Sequence, residues 1–113
     1  MDVKKYFVRS VLLGSFLVAF SACEKKENPF PDHEGGQIFQ GLKKVNVNCS
    51  GCHGPLGGGG MRAPSLTKSV RNLPPDQFIV TVAKGRGGMP AFDKVLQEEE
   101  TRQIMDWLQK LPD

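Results

Sequence analysis

The chain has 113 residues, 39% of them apolar and 24% charged, with a formal net charge of +3. This length suits one domain and is short for two, and the 13 glycines in an otherwise globular composition point to long loops. Nucleic acid is a poor partner, because the basic residues are scattered and aromatic residues are not interleaved with them.

The chain opens with Lys4, Lys5 and Arg9, continues through an uncharged run from Ser10 to Phe20, and reaches Ser21-Ala22 before Cys23. A positive start, a short apolar stretch and small residues at the break describe an export signal over residues 1–22. As a helix the apolar run would cover only ~18 Å against ~30 Å of hydrocarbon, too little for a membrane span. Phe20-Ser21-Ala22-Cys23 resembles a bacterial lipoprotein signal, in which the cysteine becomes the lipidated first residue of the mature chain; it departs at Phe20, where leucine is usual. The resemblance implies lipidation at Cys23, a flexible tether over residues 23–33 and a domain over residues 34–113. That domain would sit on the periplasmic side of a bacterial membrane, held by a lipid anchor. A plain cleaved signal is the alternative, and both readings put the cysteines in an oxidising compartment.

Without the leader roughly 90 residues remain, a size at which the core is thin and a cofactor would add buried apolar area. His33 reads as a solvated tether residue. A helix is expected from about Glu34 to Lys44, with Ile38, Phe39 and Leu42 as its apolar stripe. Gly35, Gly36 and Gly41 weaken it in isolation but let another backbone come close.

Residues 46–65 have no periodicity and include the run Gly57 to Gly60, so they read as a loop. Ordering such a loop costs ~1–2 kcal/mol of backbone entropy per residue, which a covalently held planar group would offset. A second helix is expected from Pro75 to Lys84, with Asp76 at its positive end, Phe78, Ile79 and Val82 on its apolar face, and Gly85 as its stop. Arg86 to Pro90 is a loop, and Pro90 biases Met89 towards extended dihedrals.

The last helix runs from about Glu98 to Lys110, with Ile104, Trp107, Leu108 and Leu111 on one side and three glutamates in the first turn. Gln97 is a poor N-cap, although Glu100 stands where a capping box needs it. No strand is expected, and the fold class is all-α.

Cys49-Ser50-Gly51-Cys52-His53 has the C-x-x-C-H spacing of c-type haem attachment. Two thiols separated by two residues reach the two vinyl groups on one porphyrin edge, and the adjacent imidazole is delivered beneath the iron. Three plainer readings fit less well. A thioredoxin-like dithiol lacks its βαβ context, and structural zinc would need His33 to complete the ligand set from the tether. A Cys49–Cys52 disulfide leaves His53 unexplained. Met89 sits on a glycine-flanked loop with no helical core to fill, and its thioether is a soft neutral iron ligand. Met61 competes for that role but lies only eight residues from His53, while Met105 has the helical spacing of a core residue.

Gly36-Gln37-Ile38-Phe39, Cys49 to Gly54, Ala63-Pro64-Ser65-Leu66, Gly88 to Phe92 and the Ile104 to Leu111 helix together resemble the class I cytochrome c family, across almost all of the mature chain. The resemblance implies a cytochrome c fold of short helices around one haem c bound through Cys49 and Cys52. It implies His53 and Met89 as the axial iron ligands, with the Pro64 carbonyl accepting the His53 ring N–H. It also implies a close crossing of the first and last helices, at Gly36, Phe39 and Trp107. Arg62, Lys84 and Arg86 flank this region, and Arg62 or Arg86 would pair with haem propionates or ring the exposed edge.

The implied function is a single-electron carrier, not an enzyme, since a six-coordinate iron has no position for a small-molecule substrate. Its partners would be redox proteins such as a terminal oxidase or a periplasmic dehydrogenase. From Gln40 to Lys94 there are eight basic residues and only Asp76 and Asp93 as acids, which suits a weak, salt-sensitive encounter with an acidic surface. A haem-based sensor or gas-binding protein with a labile Met89 is the alternative. A small peroxidase fits less well, because such enzymes usually carry more than one attachment motif.

Overall fold

A computed structural model of the protein describes residues 25–112. The leader over residues 1–22 and Cys23 lie outside the described residues. In chain order the elements are α1 (Glu34–Phe39), α2 (Ser50–His53), α3 (Leu66–Ser69), α4 (Pro75–Lys84) and α5 (Glu98–Lys110). Among the described residues there is no strand, only an isolated antiparallel bridge between Arg86 and Met89, so the all-α expectation holds. None of these helices is long and apolar enough to cross a membrane.

Helices α1, α3 and α4 all pack on α5. Its Thr101, Ile104, Met105, Trp107 and Leu108 are buried, the i, i+3, i+4, i+7 pattern of one helix face. The start of α5 is held by Glu100, whose Oε2 accepts the Gln97 backbone N–H at 2.8 Å. That bond uses the Gln97 main chain, so it forms without Ser or Thr at the cap. The same carboxylate receives Lys44 Nζ at 2.8 Å, and Lys44 also donates to the Val95 carbonyl at 2.8 Å.

Helix α1 is shorter than its sequence pattern suggests, ending at Phe39 instead of Lys44. Gly41 turns to φ +77°, its N–H donates to the Ile38 carbonyl at 3.1 Å, and the Leu42 N–H donates to the Gln37 carbonyl at 2.9 Å. This is the Schellman pair of bonds, which closes a helix at a left-handed glycine. Leu42, expected on the apolar stripe, therefore points away from the core and is 71% exposed.

Within α1, a Cβ on Gly36 would stand 2.5 Å from Trp107 Nε1, and one on Gly35 would overlap the Gln103 carbonyl. The α1–α5 crossing is thus a backbone contact that only glycine permits. Phe39 and Trp107, both fully buried, seal it with ring centroids 5.1 Å apart and planes tilted by 43°. Such a pair contributes ~0.5–1.5 kcal/mol beyond its buried area.

His33 is not a solvated tether residue. Its Nδ1 accepts the Gly35 backbone N–H at 3.1 Å, which caps α1, and its Nε2 lies 2.9 Å from Asp106 Oδ2 on α5. An accepting Nδ1 leaves the ring proton on Nε2, where it donates to the carboxylate. Just upstream, Asn28 Oδ1 accepts from Trp107 Nε1 at 3.3 Å and from the Phe30 N–H at 3.0 Å.

Helix α4 occupies the expected residues, with Phe78 and Val82 buried and the Gly85 N–H closing on the Thr81 carbonyl at 2.8 Å. The chain then folds back on α4, as Phe92 and Asp93 donate their N–H groups to the Val82 and Ala83 carbonyls at 3.1 and 3.2 Å. Val47, Val70, Leu96 and Leu111 complete the core.

Candidate functional site

The segment read as one aperiodic loop contains α2, a single turn too short to show periodicity. Cys49 O accepts the N–H groups of Cys52 and His53 at 3.2 and 2.9 Å, so the C-x-x-C spacing becomes one turn with both thiols on neighbouring positions. Asn48 Oδ1 braces this turn, accepting from Ser50 Oγ at 2.7 Å and from the Gly51 N–H at 3.2 Å. Sequence reasoning passed over Asn48; the available signal was a cap-forming residue directly ahead of the motif.

Both cysteines are free, Cys49 partly buried and Cys52 exposed. Burial pushes the Cys49 thiol up to about 11, partly opposed by a hydrogen bond from its own backbone N–H, with nearby Cys52 raising it further. Without its modification Cys49 is therefore a protonated thiol at neutral pH.

His53 is only 9% exposed, and its Nδ1 lies 3.0 Å from the Pro64 carbonyl oxygen. A carbonyl can only accept, so Nδ1 carries the proton and Nε2 presents its lone pair. Nε2 has no hydrogen-bond partner among the described residues.

The loop that carries Pro64 back to His53 is ordered by its own bonds. Gly59 N–H donates to His53 O at 2.8 Å, Gly60 N–H to Ala63 O at 3.0 Å and Leu66 N–H to Gly57 O at 2.7 Å. Gln40 Nε2 adds a bond to Pro55 O at 3.1 Å. Part of the ordering cost expected of this stretch is thus met by the main chain itself.

Cys49, Cys52, His53 and Pro64 form one cluster. Met89 comes from a separate loop, a tight turn in which Arg86 and Met89 exchange N–H to carbonyl bonds at 3.2 and 2.9 Å. Its side chain is half-buried against the core. Of its competitors, Met61 is fully exposed and Met105 is buried on α5. Arg62 is exposed and makes no hydrogen bond or ion pair among the described residues. Leu66 and Phe92 pack half-buried against the core. His33, which a zinc site would have needed, faces Asp106 instead.

A family model described as "Cytochrome C oxidase, cbb3-type, subunit III" matches residues 34–108. The chain belongs to this family of small monohaem c-type cytochromes. This cytochrome is 33% identical over 95 residues to cytochrome c-555 of Methylococcus capsulatus (strain ATCC 33009 / NCIMB 11132 / Bath), covering 82% of this chain and 73% of that protein. Its fold is similar to the c-type cytochrome XoxG from Methylobacterium extorquens AM1, at 28% identity and a TM-score of 0.56, over 67% of this chain and 46% of that one. The cytochrome thus spans about half the length of XoxG. It is also similar to the c-type cytochrome NirC, at 26% identity and a TM-score of 0.52, over 66% of this chain and 82% of that one.

The family implies covalent haem c, and the residues present fit that group. Two free thiols lie one turn apart, and beside them an imidazole has Nδ1 held by a main-chain acceptor and Nε2 left without a partner. That is the donor set, with its orienting outer bond, that a haem iron takes from a proximal histidine.

Proposed function

We propose that this cytochrome carries single electrons between redox proteins outside the cytoplasmic membrane, using one haem c joined to Cys49 and Cys52. In this reading His53 and Met89 are the axial ligands. The haem, when bound, supplies a one-electron ferric–ferrous couple. The chain's own residues do the rest. Pro64 O fixes the tautomer and orientation of His53, while Phe39, Phe78 and Trp107 keep water from the interior. The observation that carries the reading is the His53–Pro64 bond of 3.0 Å, which aims an otherwise unpartnered Nε2 away from the main chain that holds the ring.

The leader pattern and Cys23 support export to the periplasmic side with lipidation at Cys23, which would confine the carrier to a membrane surface. A terminal oxidase as acceptor and a periplasmic dehydrogenase as donor suit such a carrier. A second reading, a gas-binding protein with a labile Met89, draws on the Met89 turn, where Gly87 and Gly88 have open space around them.

Optical spectra of the holoprotein decide between the two. A thioether-to-iron charge-transfer band in the ferric state, with no response of the ferrous state to carbon monoxide, is the result expected for the carrier. Rapid carbon monoxide binding without that band gives the gas-binding reading.

A further inference from the structure

Residues 26–33 lie along the domain as a strap. Asn28 Oδ1 accepts from Trp107 Nε1 at 3.3 Å and from the Phe30 N–H at 3.0 Å, the His33 N–H donates to Phe30 O at 3.2 Å, and Gln37 Nε2 donates to Pro31 O at 3.1 Å. His33 adds its bonds to Gly35 and Asp106. Pro29 and Pro31 fix their own φ angles, so the segment has less freedom to lose when it is held. Lys26, Glu27 and Pro29 border a cavity of about 310 Å³ whose lining also includes Leu56, Lys68 and Leu111. The strap therefore starts where the loop after the attachment turn, α3 and the C-terminal end of α5 come together.

Cys23 stands three positions before Lys26. Three residues reach at most ~10 Å when fully extended. A domain of roughly 90 residues has a radius of gyration of ~12 Å and is ~30 Å across. A lipid on Cys23 would thus keep the start of the strap closer to the bilayer than the domain is wide, and the far side could not roll onto the lipid. Helix α5 defines that far side. Its 13 residues carry the chain ~20 Å from the Leu111 end to Glu98 at 1.5 Å per residue. Around the Glu98 end lie Arg102, Asp76 at 3.8 Å from it, and Lys44 on Glu100.

We propose that the strap turns the Cys23 anchor into a short leash that holds the cytochrome on a lipid surface in one orientation, with Leu56, Lys68 and Leu111 towards the headgroups and the Glu98 end of α5 away from them. The proposal rests on the reading of Cys23 as lipidated. It makes residues 26–33 part of the domain and leaves only Glu24 and Lys25 between strap and anchor. A partner in the same membrane then meets the cytochrome on its flanks or at its Glu98 end, and not at the strap.

The test uses the full mature holoprotein, isotope-labelled, reduced and carried in discs of phosphatidylethanolamine and phosphatidylglycerol. Amide signals are compared with and without a gadolinium-chelating lipid headgroup, whose broadening falls steeply with distance. The mass of the N-terminal peptide reports whether Cys23 carries lipid. In the wild type, broadening is expected to be strongest at Leu56, Lys68 and Leu111 and weakest at Asp76 and Glu98. Inserting about twelve Gly and Ser residues between Glu24 and Lys25 leaves the strap untouched, adds ~40 Å of reach and should abolish this gradient. Asn28→Ala combined with His33→Ala, which frees the strap, should flatten it too while the haem spectrum is retained.

Even broadening over the wild type, with lipid on Cys23 shown by mass, overturns the leash and leaves the anchor. A gradient that runs the other way, with Glu98 and Asp76 nearest the lipid, also overturns it. So does a gradient that survives the insertion, since a surface contact and not the leash would then set the orientation, and so does one that survives release of the strap. An N-terminal peptide without lipid removes the anchor reading and the leash with it.

Discussion

The main chain of Gly36 lies against the indole of Trp107 so closely that a Cβ there would stand 2.5 Å from Nε1. Because Trp107 is fully buried and its Nε1 donates to Asn28, the ring has nowhere to retreat without breaking that bond. Gly36→Ala is expected to destabilise the folded holoprotein by about 1–3 kcal/mol, the usual cost of overpacking. Gly35→Ala should cost more, since it meets the Gln103 main chain, which cannot rotate away as a side chain can. Guanidinium unfolding, followed by haem absorbance and by helix circular dichroism, checks both.

The cap on α1 gives a second expectation. His33 supplies a bond to the Gly35 N–H and another to Asp106. His33→Ala should lose about 1 kcal/mol, in line with removal of an N-cap. His33→Asn, which keeps a capping acceptor but does not reproduce the reach of imidazole to α5, should recover part of that loss. An unfolding midpoint for His33→Ala equal to the wild type would show that the bonds of His33 to Gly35 and Asp106 contribute nothing to stability.

How much of this was legible in the sequence depends on how local its cause is. Helices α4 and α5 begin and end where their patterns say, because proline, acidic first turns, apolar spacing and Gly85 all act within a few residues. Gly41 was ambiguous, since a glycine fits inside a helix or beyond its end. Only the bonds from Gly41 and Leu42 back to Ile38 and Gln37 decide for the end. His33 was misread because its partner Asp106 lies 73 positions away, a distance no local pattern spans. Helix α2 was invisible to periodicity at four residues, although its chemistry was the plainest feature of the chain. Spacing alone did not single out Pro64; family resemblance raised it, and the 3.0 Å approach to His53 gives that idea a geometry.

Acid should weaken the fold at two carboxylates. Glu100 is held below the ordinary glutamate range, first by the bond from Lys44 and then by the Gln97 N–H, and Asp106 is held low first by Lys110 and then by His33. Each group binds fewer protons folded than unfolded as the pH drops, so their stabilisation is complete above the ordinary carboxylate range. It is lost as pH falls through the lowered values. Glu100→Gln should therefore lower stability at neutral pH by on the order of 1 kcal/mol, a magnitude limited by partial exposure of the pair. It should also flatten the acid limb of a stability–pH curve. An unchanged acid limb in Glu100→Gln would show that Lys44 does not distinguish the charged from the neutral group.

Met89 offers the sharpest test of the site, because its turn is braced at both ends while its side chain makes no bond that the fold requires. Arg86 and Met89 exchange main-chain bonds, and the following residues are tied to α4 by Phe92 and Asp93, so a substitution at Met89 leaves the backbone its own anchors. Met89→Ala should retain covalent haem and most of the helix content. It should lose the thioether-to-iron band and open the ferrous state to carbon monoxide. Met89→His should restore six-coordination and lower the reduction potential by on the order of 100 mV, because a second imidazole stabilises ferric iron more than a thioether does. Met61→Ala should do none of this. If Met61→Ala instead abolished the band and Met89→Ala preserved it, the ligand would come from the glycine loop, and the Met89 turn would be a structural return onto α4.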